Sequence, residues 1–249
     1  MNPTDTLVVV SGYSGDAQQI SAFLPEYRHH GCEVLVLSPE DSPIPRGSLV
    51  GVHHEHVGRV GYVGPHTLER QRLSMERLLR WPYRQFLWHD SDSVCLSRKL
   101  PRYLFTRPEV LWCNVVRDTN TAPSLLPKFA LQPPYFLTRG VLQRLLEGAK
   151  QPATSYYMGA DLSDADKIPV PTGCIDHWML QVAHSGGVEY LDFPDGACFE
   201  TRSSHGLETM AELVRNHGKV MVHSVKTRQV LNRLLMERRG FVAAQKNRR

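Results

Sequence analysis

Residues 86–96, with the sequence FLWHDSDSVCL, join two apolar runs through a pair of carboxylates, Asp90 and Asp92, that are one residue apart. A strand that ends in such an Asp-x-Asp turn presents two oxygen ligands at its carboxyl end, where open α/β sheets bind their ligands. Neighbouring carboxylates repel each other unless a cation lies between them. Their oxygens suit Mg²⁺ or Mn²⁺, which commonly take further ligands from water and substrate phosphates. The segment therefore predicts a buried strand and a divalent metal that holds a diphosphate.

A second interpretation of the same residues is a surface turn, because Asp and Ser favour turns and helix N-caps. The context of Asp90 and Asp92 favours the metal site. Apolar residues flank the pair on both sides, at 86–88 and 94–96, and a strand–helix pattern precedes it. These flanks indicate that the turn is attached to a strand of the core.

The composition is that of an ordinary globular protein, with 249 residues of which 41% are hydrophobic and 22% are charged. This length suits one large α/β domain or two small ones. No run of about eighteen apolar residues occurs, so a membrane span is not expected. The apolar segment 7–10 is too short for a signal peptide. We therefore expect a cytoplasmic protein, of its own cell or of a phage-infected host, with no membrane partner.

The net charge indicates the kind of partner, and the spacing of the cysteines and histidines bears on whether the chain has a zinc or other metal cluster. The net charge of +4 and the pI of about 8.8 fit an anionic substrate, a nucleotide or nucleic acid. The five cysteines are never paired at metal-ligand spacing, which predicts reduced, buried thiols rather than a zinc site. The histidines at positions 53, 54 and 56 resemble a metal cluster, but a polar loop or edge strand explains them more simply.

The N-terminal segment predicts a strand–helix–strand unit. Residues 6–11, TLVVVS, and residues 32–38, CEVLVLS, are β-branched runs typical of buried strands. A helix would connect them, with a kink or interruption at Pro25 and a stop at Gly31. Such a unit implies parallel strands and a right-handed crossover. The turn after the first strand lacks the G-x-G-x-x-G pattern, so a dinucleotide fold is disfavoured.

The rest of the chain predicts further helices and strands of one domain. Apolar residues at helical spacing predict helices over residues 67–81, 139–150, 175–183, 207–217 and 227–238. Short apolar runs predict strands over residues 85–89, 110–116, 134–138, 188–193 and 219–222. Residues 151–172 have no period and predict a long loop or lid. We expect a single domain over 1–240, with halves at 6–96 and 97–226, followed by a basic tail at 241–249.

This order of parts resembles the GT-A class of nucleotide-sugar-dependent glycosyltransferases over roughly residues 6–226. An N-terminal strand–helix–strand half comes first, then a strand that ends in Asp-x-Asp, and then a mixed half that carries acceptor residues. The resemblance implies an α/β fold with a Rossmann-type mixed sheet flanked by helices. It also implies a hexosyl- or pentosyltransferase that uses Mn²⁺ or Mg²⁺ and a nucleoside diphosphate sugar, for which we expect a UDP-sugar.

The resemblance also implies a set of metal and phosphate contacts. Asp92 would contact the metal directly, and Asp90 would contact the metal or the ribose, with Ser91 beside them in the donor site. A histidine after the last strand often completes the coordination in this class. In the segment MVHSVK at 221–226, His223 would be that metal ligand and Lys226 would hold a phosphate. A histidine that bonds only to backbone at a strand end is the alternative for His223.

The segment GCIDHWML at 173–180 supplies the candidate for the catalytic group. In the class, an acidic residue that opens a helix here faces the sugar or the acceptor hydroxyl. Asp176 would be the general base of an inverting enzyme, and it would position the donor sugar in a retaining one. The alternative is an acidic residue in the first helical turn that the helix dipole favours. His177 is a weaker candidate for the base.

The first turn of the chain would contact the nucleoside. By its position in the class, the segment of Ser11, Gly12 and Tyr13 would lie against the base and ribose, and Tyr13 would stack on uracil. Arg72 lies within the apolar stripe of the helix at 67–81, and it would reach the pyrophosphate or Asp90. The alternative for Arg72 is a side chain that extends along the apolar face to reach solvent.

Two other functions remain open from the sequence. Residues 90–94, DSDSV, also fit the motif of haloacid-dehalogenase-like phosphatases, in which Asp90 would be the phosphorylated nucleophile and Asp92 the acid/base. That motif normally follows the first strand of its domain, whereas here a complete strand–helix–strand unit precedes it. The second alternative is a non-enzymatic module that binds nucleic acid through its basic C-terminal helix. Nucleic-acid binding also combines with the glycosyltransferase interpretation, in an enzyme that glycosylates hydroxylated bases in DNA, as some phage enzymes do.

Overall fold

The computed structural model describes residues 5–29, 31–60, 65–96, 102–117, 129–150, 175–193, 198–199, 207–217, 221–222, 225 and 227–247. The strands are β1 (Thr6–Ser11), β2 (Glu33–Ser38), β3 (His53–His56), β4 (Gln85–Asp90), β5 (Val94–Cys95), β6 (Leu111–Arg117), β7 (Phe129–Thr138), β8 (Tyr190–Asp192), β9 (Cys198–Phe199) and β10 (Met221–Val222). The helices are α1 (Ala17–His29), α2 (Pro65–Leu78), α3 (Arg139–Ala149), α4 (Ile175–Ser185), α5 (Leu207–His217) and α6 (Arg228–Asn247).

Within these residues a seven-stranded mixed sheet has the order β3-β2-β1-β4-β7-β6-β8. Strand β1 is parallel to β2 and β4, which confirms the predicted parallel N-terminal unit. Strand β7 is antiparallel to both β4 and β6, so the second half is mixed. In the register of β1 and β4, Ser11 pairs with Asp90. The first turn of the chain and the Asp-x-Asp turn therefore lie side by side at the carboxyl ends of β1 and β4.

Alternation along β1 explains why helices cover both faces of the sheet. Val8 and Val10 face one apolar cluster, which contains residues of α1, α5 and α6. Leu7 and Val9 face the other cluster, which contains residues of α2, α3 and α4. All four side chains are fully buried, as expected for a parallel strand covered on both faces. The prediction of an α/β fold with a mixed sheet flanked by helices is confirmed.

A small second sheet, with the order β5-β10-β9, continues from the Asp-x-Asp turn. Strand β10 is antiparallel to β5, so the last strand of the chain returns beside the residues that follow Asp92. The amide of Val225 donates a hydrogen bond to the carbonyl of Asp92 at 2.7 Å. The chain after β10 is thereby bonded directly to the Asp-x-Asp turn.

Helices α3 and α4 approach each other closely enough to require glycine at both contact points. A Cβ atom at Gly148 would lie 2.2 Å from the carbonyl oxygen of Val182, and one at Gly186 would lie 2.2 Å from that of Arg144. Arg139, the first residue of α3, donates to the carbonyls of Leu79 (2.8 Å), Tyr83 (3.1 Å) and Trp81, in the segment between α2 and β4. These contacts fix the relative placement of α2, α3 and α4 on one face of the sheet.

Several element boundaries differ from the prediction. The helix α1 runs without interruption through Pro25, and Gly31 follows its end with a φ of 69°, as a stop glycine should. Of the predicted kink or interruption at Pro25, the interruption is therefore wrong. Helix α6 continues to Asn247 instead of ending near 238, because its last turns contain alanines and no proline. The predicted polar tail at 241–249 is thus helical through 247. Strand β7 begins at Phe129, five residues before the predicted start.

The structure also bears on the predictions for the histidine cluster and the cysteines. The histidine cluster lies on β3, at the edge of the sheet, in agreement with the polar edge-strand interpretation. Cys32, Cys95 and Cys113 are buried, as the sequence predicts. Residues 151–172 lie outside the described residues. Among the helices that are described, none combines the length and the apolar character needed to cross a membrane.

Candidate active site

An open cavity of about 400 Å³ lies at the carboxyl ends of β1 and β4. It brings together six residues that the sequence analysis assigned to the site, from three distant parts of the chain: Ser11, Tyr13, Asp90, Ser91, Asp92 and Asp176. The pairing of β1 with β4 accounts for the first five, and the packing of α4 on α3 and β7 brings the last one to the same place.

The carboxylates of the Asp-x-Asp turn are accessible from the cavity because the strand ends there. Strand β4 is buried from Gln85 through His89, and Asp90 is its first exposed residue. The amide of Ser93 donates to the carbonyl of Asp90 at 3.0 Å, which closes a tight turn. Together with the hydrogen bond from the amide of Val225 to the carbonyl of Asp92, this turn holds both carboxylates beside the cavity.

Asp16 joins the two turns that meet at the cavity. Its Oδ2 atom accepts one hydrogen bond from the amide of Tyr13 and another from the hydroxyl of Ser91, both at 2.8 Å. The bond to the amide of Tyr13 is part of a capping box at the short helical turn Ser14–Asp16. The contact of Asp16 with Ser91 is a tertiary feature that no local pattern indicates.

In the described part of the chain, the cation that lines the cavity is Arg70. Its guanidinium donates to the hydroxyl of Tyr13 at 2.9 Å and lies 5.0 Å from the centre of the Tyr13 ring. The predicted Arg72 does not line the cavity, and it forms an ion pair with Glu76 one helical turn away. The two arginines point in different directions because two residues on a helix are about 200° apart.

Ser11 and Gly12 occupy the edge of the site. Trp88, which is buried, donates from Nε1 to the hydroxyl of Ser11 at 2.9 Å. Gly12 lines a smaller adjoining cavity that shares Ser11 and Arg70 with the main one. A Cβ atom at Gly12 would lie 3.0 Å from the side chain of Ile20, so the turn fits closely against α1.

Asp176 lies in the first turn of α4 and lines the cavity. A carboxylate in this position is favoured by the partial positive charge at a helix N-terminus. The side chain of His177 lies outside the described residues. The same is true of His223 and Lys226, whereas Val225 between them is described.

The charge of the cavity favours a cation. Of the charged Asp and Arg side chains that the structure describes around it, four are aspartates (Asp16, Asp90, Asp92, Asp176) and one is an arginine (Arg70), which amounts to a formal charge of −3. Among the residues that the structure describes, no three His, Cys, Asp or Glu side chains come close enough together to hold a metal ion by themselves. Two carboxylates with open space beside them fit Mg²⁺ or Mn²⁺, since these ions usually keep several waters and take oxygens from phosphates.

No protein-family model matches this chain, and no curated protein sequence matches it. Among solved structures, it is similar to the glycosyltransferase GlyE of Streptococcus pneumoniae TIGR4, with 11% identity and a TM-score of 0.48 over 96% of this chain and 64% of that one. It is also similar to an active-site mutant of LgtC, with 12% identity and a TM-score of 0.46 over 95% of this chain and 99% of that one. A third similar structure is 4-diphosphocytidyl-2C-methyl-D-erythritol synthase, with 12% identity and a TM-score of 0.38 over 76% and 89% of the two chains. The chain thus spans less than two thirds of the length of GlyE.

Proposed function

We propose that this chain is a metal-dependent glycosyltransferase that moves a sugar from a nucleoside diphosphate sugar, which we take to be a UDP-sugar, to an acceptor hydroxyl. One observation carries the proposal. A single open cavity unites the first turn of the chain, the paired carboxylates after β4 and the carboxylate that opens α4. A nucleotide-sugar donor requires all three: a surface for the nucleoside, a cation site for the diphosphate and a group near the reacting sugar.

Asp90 and Asp92 would hold the metal, and His223 would complete its protein ligands. When bound, Mn²⁺ or Mg²⁺ would neutralise charge on the leaving diphosphate. The backbone bonds that hold the turn, from Ser93 to Asp90 and from Val225 to Asp92, support this role because they fix the carboxylates before any ligand enters. Val225 lies within two positions of both His223 and Lys226 in the sequence.

Arg70 would contact the diphosphate, in place of the predicted Arg72. Its planar guanidinium suits bidentate contacts with phosphate oxygens, and it already lies against Tyr13. Lys226 would supply a second positive charge. Because Arg70 covers one part of the Tyr13 ring, a nucleobase would use the remaining exposed surface of that ring and the backbone of the turn.

Asp176 would act on the acceptor side of the reaction. In an inverting reaction its carboxylate would take the proton of the acceptor hydroxyl as that oxygen attacks the anomeric carbon. In a retaining reaction it would orient the donor sugar. We expect Asp176→Asn to lower turnover by about a hundredfold or more while leaving UDP affinity unchanged. Near-full turnover in that variant would contradict the role as a base.

DNA with hydroxylated bases is the acceptor that we propose to test first. Residues 238–249 contain five basic and no acidic residues, so their charge of +5 exceeds the net charge of +4 for the whole chain. Arg239 and residues 242–247 of helix α6 are exposed, whereas Arg238 is partly buried. Duplex binding that weakens steeply with added salt, and weakens again in Arg239→Ala, would support this acceptor. Absence of binding at low salt would contradict DNA as the acceptor. It would also contradict the alternative of a non-enzymatic nucleic-acid-binding module.

The phosphatase alternative has weaker support. Asp90 ends β4, which follows a complete strand–helix–strand unit, and the cavity extends to Asp176 and Tyr13 on other elements. A phosphatase of that class would need only a phosphate-sized site around Asp90. Residues 159–164, GADLSD, mimic the later acidic motif of that class, and they lie outside the described residues.

The deciding experiment is thermal unfolding of the wild type and Asp92→Ala with Mn²⁺ and a panel of nucleoside diphosphates. A ligand at about 100 times its Kd stabilises the folded state by roughly 2.7 kcal/mol. For a chain of this size that raises the Tm by about 5–10 °C. The shift should require Mn²⁺ and disappear in Asp92→Ala.

The exposed Glu147→Ala is a matched control, since it also removes one carboxylate but lies on α3 away from the cavity. It should retain the full shift. The nucleotide that gives the largest shift identifies the base of the donor. No shift with any nucleotide would refute the glycosyltransferase proposal.

A further inference from the structure

A buried histidine directly precedes the Asp-x-Asp turn. His89, at the end of β4, is 1% exposed, and the side chain of Tyr27 from α1 beside it is fully buried. Their rings lie 5.4 Å apart, and Phe23 packs edge-on against both of them at 5.8 Å. An imidazole is costly to bury unless its nitrogens are hydrogen-bonded. The bonds that it makes therefore show what it holds in place.

The contacts of His89 and Tyr27 are consistent with one arrangement of protons. The hydroxyl of Tyr27 accepts from the amide of Cys95 at 3.2 Å, so its own hydrogen is available to His89 Nε2 at 2.6 Å. His89 Nδ1 lies 2.7 Å from the carbonyl oxygen of Asp90, which can only accept. Neutral His89 with its proton on Nδ1 satisfies all three contacts. Burial, the largest of several influences, raises the pKa of Tyr27 well above its usual value, so the hydroxyl keeps its proton.

These hydrogen bonds hold both ends of the turn. The carbonyl of Asp90 lies at its beginning, and the amide of Cys95 lies in β5 just after it. The intervening residues include Asp92, whose direction depends on where the two ends are fixed. Helix α1 is thus connected to the turn through Tyr27 and then His89.

We propose that His89 and Tyr27 are positioning residues that orient the turn of Asp90 and Asp92 and thereby set its affinity for a divalent cation. Neither side chain would touch the cation. The inference rests on the proposed function, because it assumes that the turn binds metal. Partners of this kind, which orient a ligand without touching the metal, typically change metal affinity by about 10–100-fold when they are removed.

The alternative is that the pair only fills the core. Both roles predict lower stability on substitution, so stability alone does not separate them. Cation affinity does, because a packing defect elsewhere in the same cluster should leave the turn in place. Leu24 on α1 is buried in this cluster and serves as the control.

The experiment is the titration of the full chain with Mn²⁺, alone and with UDP, in which electron paramagnetic resonance measures free Mn²⁺. The variants are His89→Leu, His89→Asn and Tyr27→Phe, with Leu24→Ala as control, and urea unfolding confirms that each is folded. His89→Leu and Tyr27→Phe should weaken Mn²⁺ binding by about tenfold or more. His89→Asn should recover much of the loss, because its amide still offers an N–H near the position of Nδ1. Leu24→Ala should bind Mn²⁺ as the wild type does.

The outcomes separate the two proposals. If the wild type binds Mn²⁺ and His89→Leu and Tyr27→Phe bind it equally well, the positioning role is overturned and the metal site stands. If the wild type binds no Mn²⁺ with or without UDP, the metal site falls and the positioning role falls with it. Should His89→Leu fail to fold, Tyr27→Phe still decides, since it keeps the ring and loses only the hydroxyl. Nitrogen-15 NMR of His89 should also show the proton on Nδ1, and a proton on Nε2 would refute the hydrogen-bond scheme.

Discussion

A methyl group added at Gly148 should separate α3 from α4. The Cβ atom would lie 2.2 Å from the carbonyl oxygen of Val182 and 2.8 Å from the amide nitrogen of Gly186. Both are backbone atoms, so no side-chain rotation relieves the contact. Real Cβ atoms essentially never approach closer than 3.0 Å, and the helices would therefore move apart by roughly 1 Å.

Two opposing terms set the magnitude for Gly148→Ala. Alanine is favoured over glycine in a helix by about 1 kcal/mol, whereas overpacking a well-packed contact costs about 1–3 kcal/mol. The contact here is with backbone on the neighbouring helix, so we place the cost at the upper end. The net loss in the free energy of unfolding should be about 2 kcal/mol, which lowers the Tm by about 4–8 °C.

Thermal and urea unfolding followed by circular dichroism measure this loss. Gly140→Ala is the matched control, because it lies in the same helix and its Cβ would meet nothing nearer than the hydroxyl of Thr138 at 3.9 Å. That variant should match the wild type or be slightly more stable. If Gly148→Ala melts at or above the wild-type temperature, the close contact of α3 and α4 is refuted. Because α4 carries Asp176 in its first turn, Gly148→Ala should also lower turnover.

Three further predictions concern other parts of the molecule. Asp16→Ala removes the acceptor that joins the first turn to Ser91 and should weaken Mn²⁺-dependent UDP binding about tenfold, as measured by calorimetry; unchanged affinity would contradict the link. Arg139→Met leaves three carbonyls between α2 and β4 without their donor and should cost about 2–3 kcal/mol in urea unfolding, whereas a loss below about 0.5 kcal/mol would show that water replaces the guanidinium. Burial, the largest influence, lowers the pKa of His54, so protonation favours the unfolded chain and the free energy of unfolding should fall as the pH drops below about 6.5. His54→Leu should flatten this dependence in urea titrations between about pH 7.5 and pH 5, and an unchanged slope would assign it to other groups.

The sequence predicted the strands that carry the site with good accuracy. The strand at 6–11 was predicted with the boundaries that the structure has, and the strand predicted at 85–89 extends one residue further, to Asp90. Both are buried runs that end abruptly in Gly-, Ser- and Asp-containing turns, so composition and boundary signals agree. The helix α6 was predicted too short, since the exposed turns after 238 have no apolar face for periodicity to detect.

The identity of the cavity residues was predicted only in part. The apolar spacing on α2 led to the prediction that Arg72 contacts the donor. In the folded chain Arg72 pairs with Glu76, and Arg70 lines the cavity instead. The bonds from Asp16 to Ser91 and from Tyr27 to His89 join residues 75 and 62 positions apart. No local pattern contains such pairs, because they exist only once the strands have paired.

The sequence by itself determined where most of the strands and helices lie and that two carboxylates end a buried strand, because side-chain sterics and apolar periodicity act over a few neighbouring residues. The tertiary structure alone decided which distant side chains share the cavity. Pairing of Ser11 with Asp90 places the first turn beside the Asp-x-Asp turn. The glycine contact of α3 with α4 brings Asp176 to the same end of the sheet. Those distances depend on how whole elements pack, and packing is a property of the complete core rather than of any one segment.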